Sequence, residues 1–168
     1  GNNSSSYDLA LYLGNNGRVN LGVRNSANSL VTTTSTQAVN DGQWHHVVGV
    51  VDAGGSSIVI DGRRSGRNQN GTGGPALNGF WRVLGDNTSG LANRPTDTAL
   101  AGTVDEVAVY PSALPIDTVR RHVGGDSRFA QPKGESHPIC RRHRLQLLAL
   151  FLRRRVSHLA TDDGMWLA

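Results

Sequence analysis

The stretch DGQWHHVVGVVDAGGSSIVIDG, residues 41–62, decides how this chain is read. It holds two short apolar runs, WHHVVGVV (44–51) and SIVIDG (57–62), joined by DAGGS. β-Branched residues dominate both runs and small turn-forming residues part them, which predicts two antiparallel strands in a hairpin. Successive side chains on a strand point to opposite faces. Trp44, His46, Val48 and Val50 therefore share one face, and His45, Val47, Gly49 and Val51 the other. The paired histidines cannot converge on one metal ion or one substrate atom, so they read as strand residues rather than a catalytic pair.

Working outward, the same texture recurs. LALYL (9–13) and RVNLGV (18–23) flank GNNG (14–17), whose Asn16-Gly17 favours a hairpin turn. In the second run Val19, Leu21 and Val23 share a face opposite Arg18, Asn20 and Gly22. SLVTTT (29–34), WRVLG (81–85) and TVDEVAVY (103–110) complete seven expected strands. Between them lie two long polar loops, 63–79 and 86–102, and loops of that length in a small domain often carry function. After Tyr110, Pro115 can open a short helix with Ile116, Val119 and Val123 at helical spacing. Many short strands, 21 glycines and few aromatics predict an all-β antiparallel sandwich or jelly roll.

Charge divides the chain. Residues 1–125 carry nine Lys and Arg against nine Asp and Glu, whereas residues 126–168 carry eight against four, so the net charge of +4 belongs to the second part. A neutral body has no electrostatic footprint for nucleic acid. We therefore expect one domain over 1–125 and a basic, poorly ordered extension over 126–168. Within the extension, RRHRLQLLALFLRRR could form a short amphipathic helix on an anionic surface. It also reads as a segment never shaped to fold with the body. No apolar run reaches the roughly 20 residues of a membrane span, and no leader is visible at Gly1. The single cysteine, Cys140, excludes an internal disulfide and cysteine-based metal spacing.

Taken as an ordered set, NDGQWHHVVGVVDAGGSSIVIDGRRSG (40–66) and LAGTVDEVAVYPSALP (100–115) resemble the laminin G-like jelly-roll domain. This is the concanavalin A-like lectin/glucanase sandwich, in the form found in bacterial extracellular proteins. The resemblance rests on Gly42, Trp44, His46, Val47, Val59, Asp61 and Gly62, then on Gly102, Asp105, Glu106, Tyr110, Ala113 and Leu114, and covers about residues 5–123. It implies that Trp44 and His46 pack near the sheet interior and that upstream strands of the family pattern are missing here. It implies a structural calcium ion with Asp105 as ligand, since hard cations collect oxygen donors. It further implies an extracellular or cell-surface setting, beside other domains of a larger secreted chain.

The remaining candidate sites are read from the residues. Asp105 and Glu106 are adjacent, so on a regular strand they face apart and make no catalytic pair. Glycosidases need two carboxylates converging about 5 Å apart, and this chain offers only Glu106 and Glu135 as glutamates. No Gly-x-Ser-x-Gly elbow or Cys/His constellation occurs in the body. The loop 81–97 could hold a sugar: Trp81 offers a flat apolar ring, and Arg82, Asp86, Asn87, Asn93 and Arg94 offer hydrogen bonds. The expected function is non-catalytic binding of carbohydrate or a cell-surface glycoconjugate. The alternatives are an accessory or degenerate module of a secreted glycoside hydrolase, binding of membrane or nucleic acid by the tail, and a truncated fragment without function.

Overall fold

The computed structural model describes residues 8–73, 82, 83, 85, 87–97, 100 and 102–123, together with the backbone of 147–154 and 165–167. Its strands are β1 (Leu9–Leu13), β2 (Arg18–Arg24), β3 (Leu30–Ala38), β4 (Trp44–Asp52), β5 (Gly55–Ile60), β6 (Arg63–Asn68), β7 (Gly102–Tyr110), β8 (Leu147–Arg154) and β9 (Met165–Leu167). One helix, α1 (Ile116–Val123), follows β7. The strands form two antiparallel sheets in the orders β3-β2-β1-β9 and β6-β5-β4-β8-β7. This is the jelly-roll sandwich expected from the sequence.

The expected alternation builds the core. Leu9, Leu11 and Leu13 from β1 and Val19, Leu21 and Val23 from β2 meet Val47 and Val51 from β4 and Ile58 and Ile60 from β5. On the β3–β6 side the two sheets are tied together: Thr33 and Ser56 hydroxyls lie 2.6 Å apart, and the Thr36 N–H donates to Ser65 Oγ at 3.2 Å. A Cβ on Gly66 would stand 2.6 Å from the Thr34 carbonyl oxygen, so only glycine lets the two edges approach this closely.

Two expectations are corrected. Residues 63–68, read as part of a loop, form β6 at the sheet edge. Its exposed Arg63, Arg64 and Arg67 hide the strand signal, and charge on an edge strand deters further pairing. The expected strand 81–85 lies partly outside the described residues: Trp81 and Leu84 are not described, and Val83 and Gly85 form bridges. In α1 only Val119 is buried, while Ile116 and Val123 are exposed, because the helix rests on the sheet along a single line of contact.

The second correction concerns the extension. Residues 147–154 are a strand rather than an amphipathic helix. β8 pairs with β4 from Trp44↔Arg153 to Val50↔Leu147, and with β7 from Gly102↔Arg154 to Tyr110↔Leu147. β9 pairs with β1 at the edge of the other sheet. The run LLALFL lacks the polar/apolar alternation of a half-exposed strand, and a segment of a sheet's middle need not show it. The sheets therefore draw on both sides of the boundary expected near residue 125.

Candidate functional site

Two polar clusters stand out, on different sheets. The first lies on the outer face of β1–β3. Behind the core-facing residues of β1 and β2, Ala10 and Tyr12 are buried by Leu91, with Leu30 packed alongside. A Cβ on Gly22 would meet Leu91 Cδ2 at 2.8 Å, so this glycine makes room for the loop. The Tyr12 hydroxyl donates to the Ala92 carbonyl. Asn93 takes a left-handed backbone (φ 53°), which asparagine tolerates better than most residues. From there its Nδ2 donates to Asn20 Oδ1 and Thr34 Oγ1, each at 3.3 Å. The Thr34 hydroxyl donates to Asn20 Oδ1 at 2.8 Å, and Asn20 Nδ2 to the Arg18 carbonyl at 3.1 Å. Thr96 N–H donates to Asn15 Oδ1 at 3.1 Å. The loop 87–97 is thus held down by an apolar anchor and a network of side-chain amides and hydroxyls.

Of the residues expected to bind sugar, Asn87, Asn93 and Arg94 are exposed on this loop and Arg82 is half-buried. Trp81 and Asp86 lie outside the described residues. The Asn87 Oδ1 accepts from Ser89 N–H at 2.9 Å, so its carbonyl side shapes the turn. Sequence reasoning missed Asn20 and Thr34. The signal was available: Asn20 is a polar residue inside the apolar run RVNLGV, and it is fully buried.

The second cluster surrounds the paired histidines. They do face apart, as expected. His45 Nδ1 lies 2.8 Å from Asp61 Oδ2, and its Nε2 lies 3.0 Å from Asp41 Oδ1. Ionised carboxylates only accept, so both contacts are satisfied together when the ring carries two protons. Burial of the ring works against that charge, but the bonds to Asp61 and Asp41 and their negative charges outweigh it, and the His45 pKa is raised. The Gln43 N–H and then His45 hold the Asp41 carboxyl below its ordinary range. Asp61 also accepts the His46 N–H at 2.9 Å. Asp61 (φ 51°) and Gly62 (φ 75°) form the two-residue turn between β5 and β6, where two positive φ angles suit a hairpin.

His46 is 2% exposed, whereas Trp44 is 45% exposed. The expectation that both pack near the sheet interior is therefore met by His46 and corrected for Trp44. His46 shares the outer face with Val48 and Val50, which pack with Val59 against Val119 of α1. That puts His46 beneath the helix and not between the sheets.

His45 links the clasp to pH. Its folded pKa lies above the unfolded value near 6.5, so the contribution is complete below that pH and fades as pH rises through the folded value. Asp61→Asn keeps the left-handed turn and an acceptor for His46 while removing the charge. Urea unfolding of this variant should show a loss of about 1 kcal/mol at pH 6, and a smaller loss at pH 8. Equal losses at both pH values would show that the His45 charge contributes nothing.

Asp105 and Glu106 sit on an irregular stretch of β7, which corrects the assumption of a regular strand. The register moves by one residue between Asp105 and Ala108, and Glu106 has φ 51°. This bulge explains why Val104 and Val109, five apart, both pack against the core between the sheets. Both carboxylates are exposed, and Asp105 Oδ1 accepts the Glu106 N–H at 2.8 Å. Among the described residues no three His, Cys, Asp or Glu side chains gather as a metal-binding group.

A two-sheet antiparallel jelly roll with a loop clamped over one outer face defines the structural class of the chain, a jelly-roll β-sandwich. The family model of the concanavalin A-like lectin/glucanases superfamily, laminin G type, matches residues 1–120, and the chain belongs to that family. Comparison with curated proteins and with solved structures gives no match.

Proposed function

We propose that the chain is a non-catalytic carbohydrate-binding module of a secreted bacterial protein, and that it takes a polar saccharide on the loop 87–97. The observation that carries this reading is the clamped loop. Leu91 and Asn93 fix it to the sheet from below, while Asn87 and Arg94 stand in solvent from the same segment. Such preorganisation lowers the entropy cost of binding, and amide and guanidinium groups suit vicinal hydroxyls. Membership of a superfamily of lectins and glucanases supports a sugar ligand. The fold alone does not distinguish binding from hydrolysis, but Asp105 and Glu106 lie on β7, in the other sheet from this loop.

A glycan array probed with the full chain tests the proposal. A defined subset of glycans should bind, and Arg94→Ala should weaken that binding about tenfold, or about 1.4 kcal/mol, with the melting temperature unchanged. Binding that survives Arg94→Ala and Asn87→Ala together overturns the site. Turnover of a bound glycan that requires Glu106 would establish the hydrolase-associated reading instead.

A further inference from the structure

The outer face of the five-stranded sheet carries a feature that sugar binding does not use. We propose that α1 is a proton-operated latch, closed over β4 and β5 while the buried His46 beneath it is neutral and lifted from the sheet when His46 takes up a proton. Lifting uncovers Val48, Val50 and Val59.

His46 is buried under α1, and its ring meets that of His122 edge-on, with centroids 6.2 Å apart and planes at 84°. His122 in turn stacks on Tyr110 of β7 at 6.2 Å and 28°. A charge on His46 is buried beneath the helix and meets the like charge that His122 can carry, which is repulsive at that separation. The charges that face the pair do not offset this. From α1 come Arg120 and Arg121, in the same turn as His122, and Asp117, which is exposed and pairs with Arg120 at 3.1 Å. From the β5–β6 turn comes Asp61, whose carboxylate already accepts from the His46 N–H and contacts His45. From β7 come Tyr110 and, near it, Glu106. β8 brings Phe151 into register with His46 and has no acid among its residues.

The helix is held lightly against this repulsion. Val119 is its only buried residue, and Arg120 Nε donates to the Gly62 carbonyl in the β5–β6 turn at 3.2 Å. The cost of charging His46 is large by comparison. Burial, and then the charge of His122, push its pKa down to about 4 against the opposing pull of Asp61. Relative to an ordinary histidine, this biases the closed helix against the proton roughly 300-fold. The core between the sheets contains neither histidine, so acid acts on the latch and leaves the sandwich intact.

Amide hydrogen exchange on the full chain at pH 7 and pH 4, corrected for intrinsic rates, tests the latch. Protection of the amides of residues 119–123 should fall at least thirtyfold at pH 4, while those of Leu11 and Leu21 stay protected. His122→Gln should keep α1 closed to lower pH, and His46→Leu should remove the acid response. His122 is only half-buried, so its variant carries the test even if the His46 variant folds poorly. The latch is overturned if α1 is equally protected at both pH values, if β1 and β2 open together with it, or if His122→Gln leaves the response unchanged.

Discussion

Leu21→Ala should cost about 3–5 kcal/mol of folding stability, near the top of the range for a leucine truncated in a core. Leu21 is fully buried at the centre of the sandwich. It faces Gly49 of β4, where a Cβ would lie 3.1 Å and 3.4 Å from the two Leu21 methyls and 3.4 Å from a Leu11 methyl. Leu21 and Leu11 thus fill the space that the missing Gly49 side chain leaves, and Leu21→Ala opens a cavity that rigid strands on both sides cannot close. The same geometry predicts a coupling. Gly49→Ala alone should be close to neutral, because tight contact opposes the gain from a stiffer strand residue. Combined with Leu21→Ala, it should recover about 1 kcal/mol, since the new methyl enters the vacated space. Urea midpoints at unchanged slope measure both effects. Strict additivity of the two substitutions would show that the residues do not share that space.

These two positions also show what the sequence makes legible. Alternation placed Val19, Leu21 and Val23 on one face, and the structure buries all three between the sheets. The same rule separated His45 from His46 correctly. It failed where a strand is not half-buried and regular. β6 is an arginine-bearing edge, so polarity masks it. β7 contains a bulge, so counting by twos from Asp105 misassigns faces beyond Glu106. Reading Trp44 as interior along with His46 failed for another reason. Period two says that two residues share a face, but not whether that face meets the other sheet or a helix. At the candidate site, Asn93 and Arg94 were visible as loop residues with sugar-binding chemistry. Asn20 and Thr34, which hold Asn93, are 73 and 59 residues away, and only the folded sheet brings them together.

The largest effect should follow removal of residues 126–168. A reading from composition makes that segment dispensable, whereas the structure sets its strand β8 in the middle of a sheet. β8 runs along seven register pairs with β4 and seven with β7. Each backbone hydrogen bond contributes only about 1 kcal/mol net, but losing two ladders approaches the whole 5–15 kcal/mol that holds a domain together. Without β8, β7 loses its pairing partner and is left with side-chain contacts such as those of Val104, Val109 and Tyr110, and β4 becomes an unprotected edge. Thermal unfolding of residues 1–125 followed by circular dichroism should therefore show no single cooperative transition, where the full chain shows one. A point substitution makes the same test without shortening the chain. Leu148 lies opposite Gly49 on one side and Val109 on the other, and a proline there removes a ladder donor from a central strand. Leu148→Pro should destabilise the chain by about 3 kcal/mol or more. If 1–125 instead melts cooperatively at the temperature of the full chain, β7 must pair directly with β4 and the sandwich closes without β8. Loss of the transition in both variants would mean that the basic segment, foreign in composition, is what completes the sheet on which α1 rests.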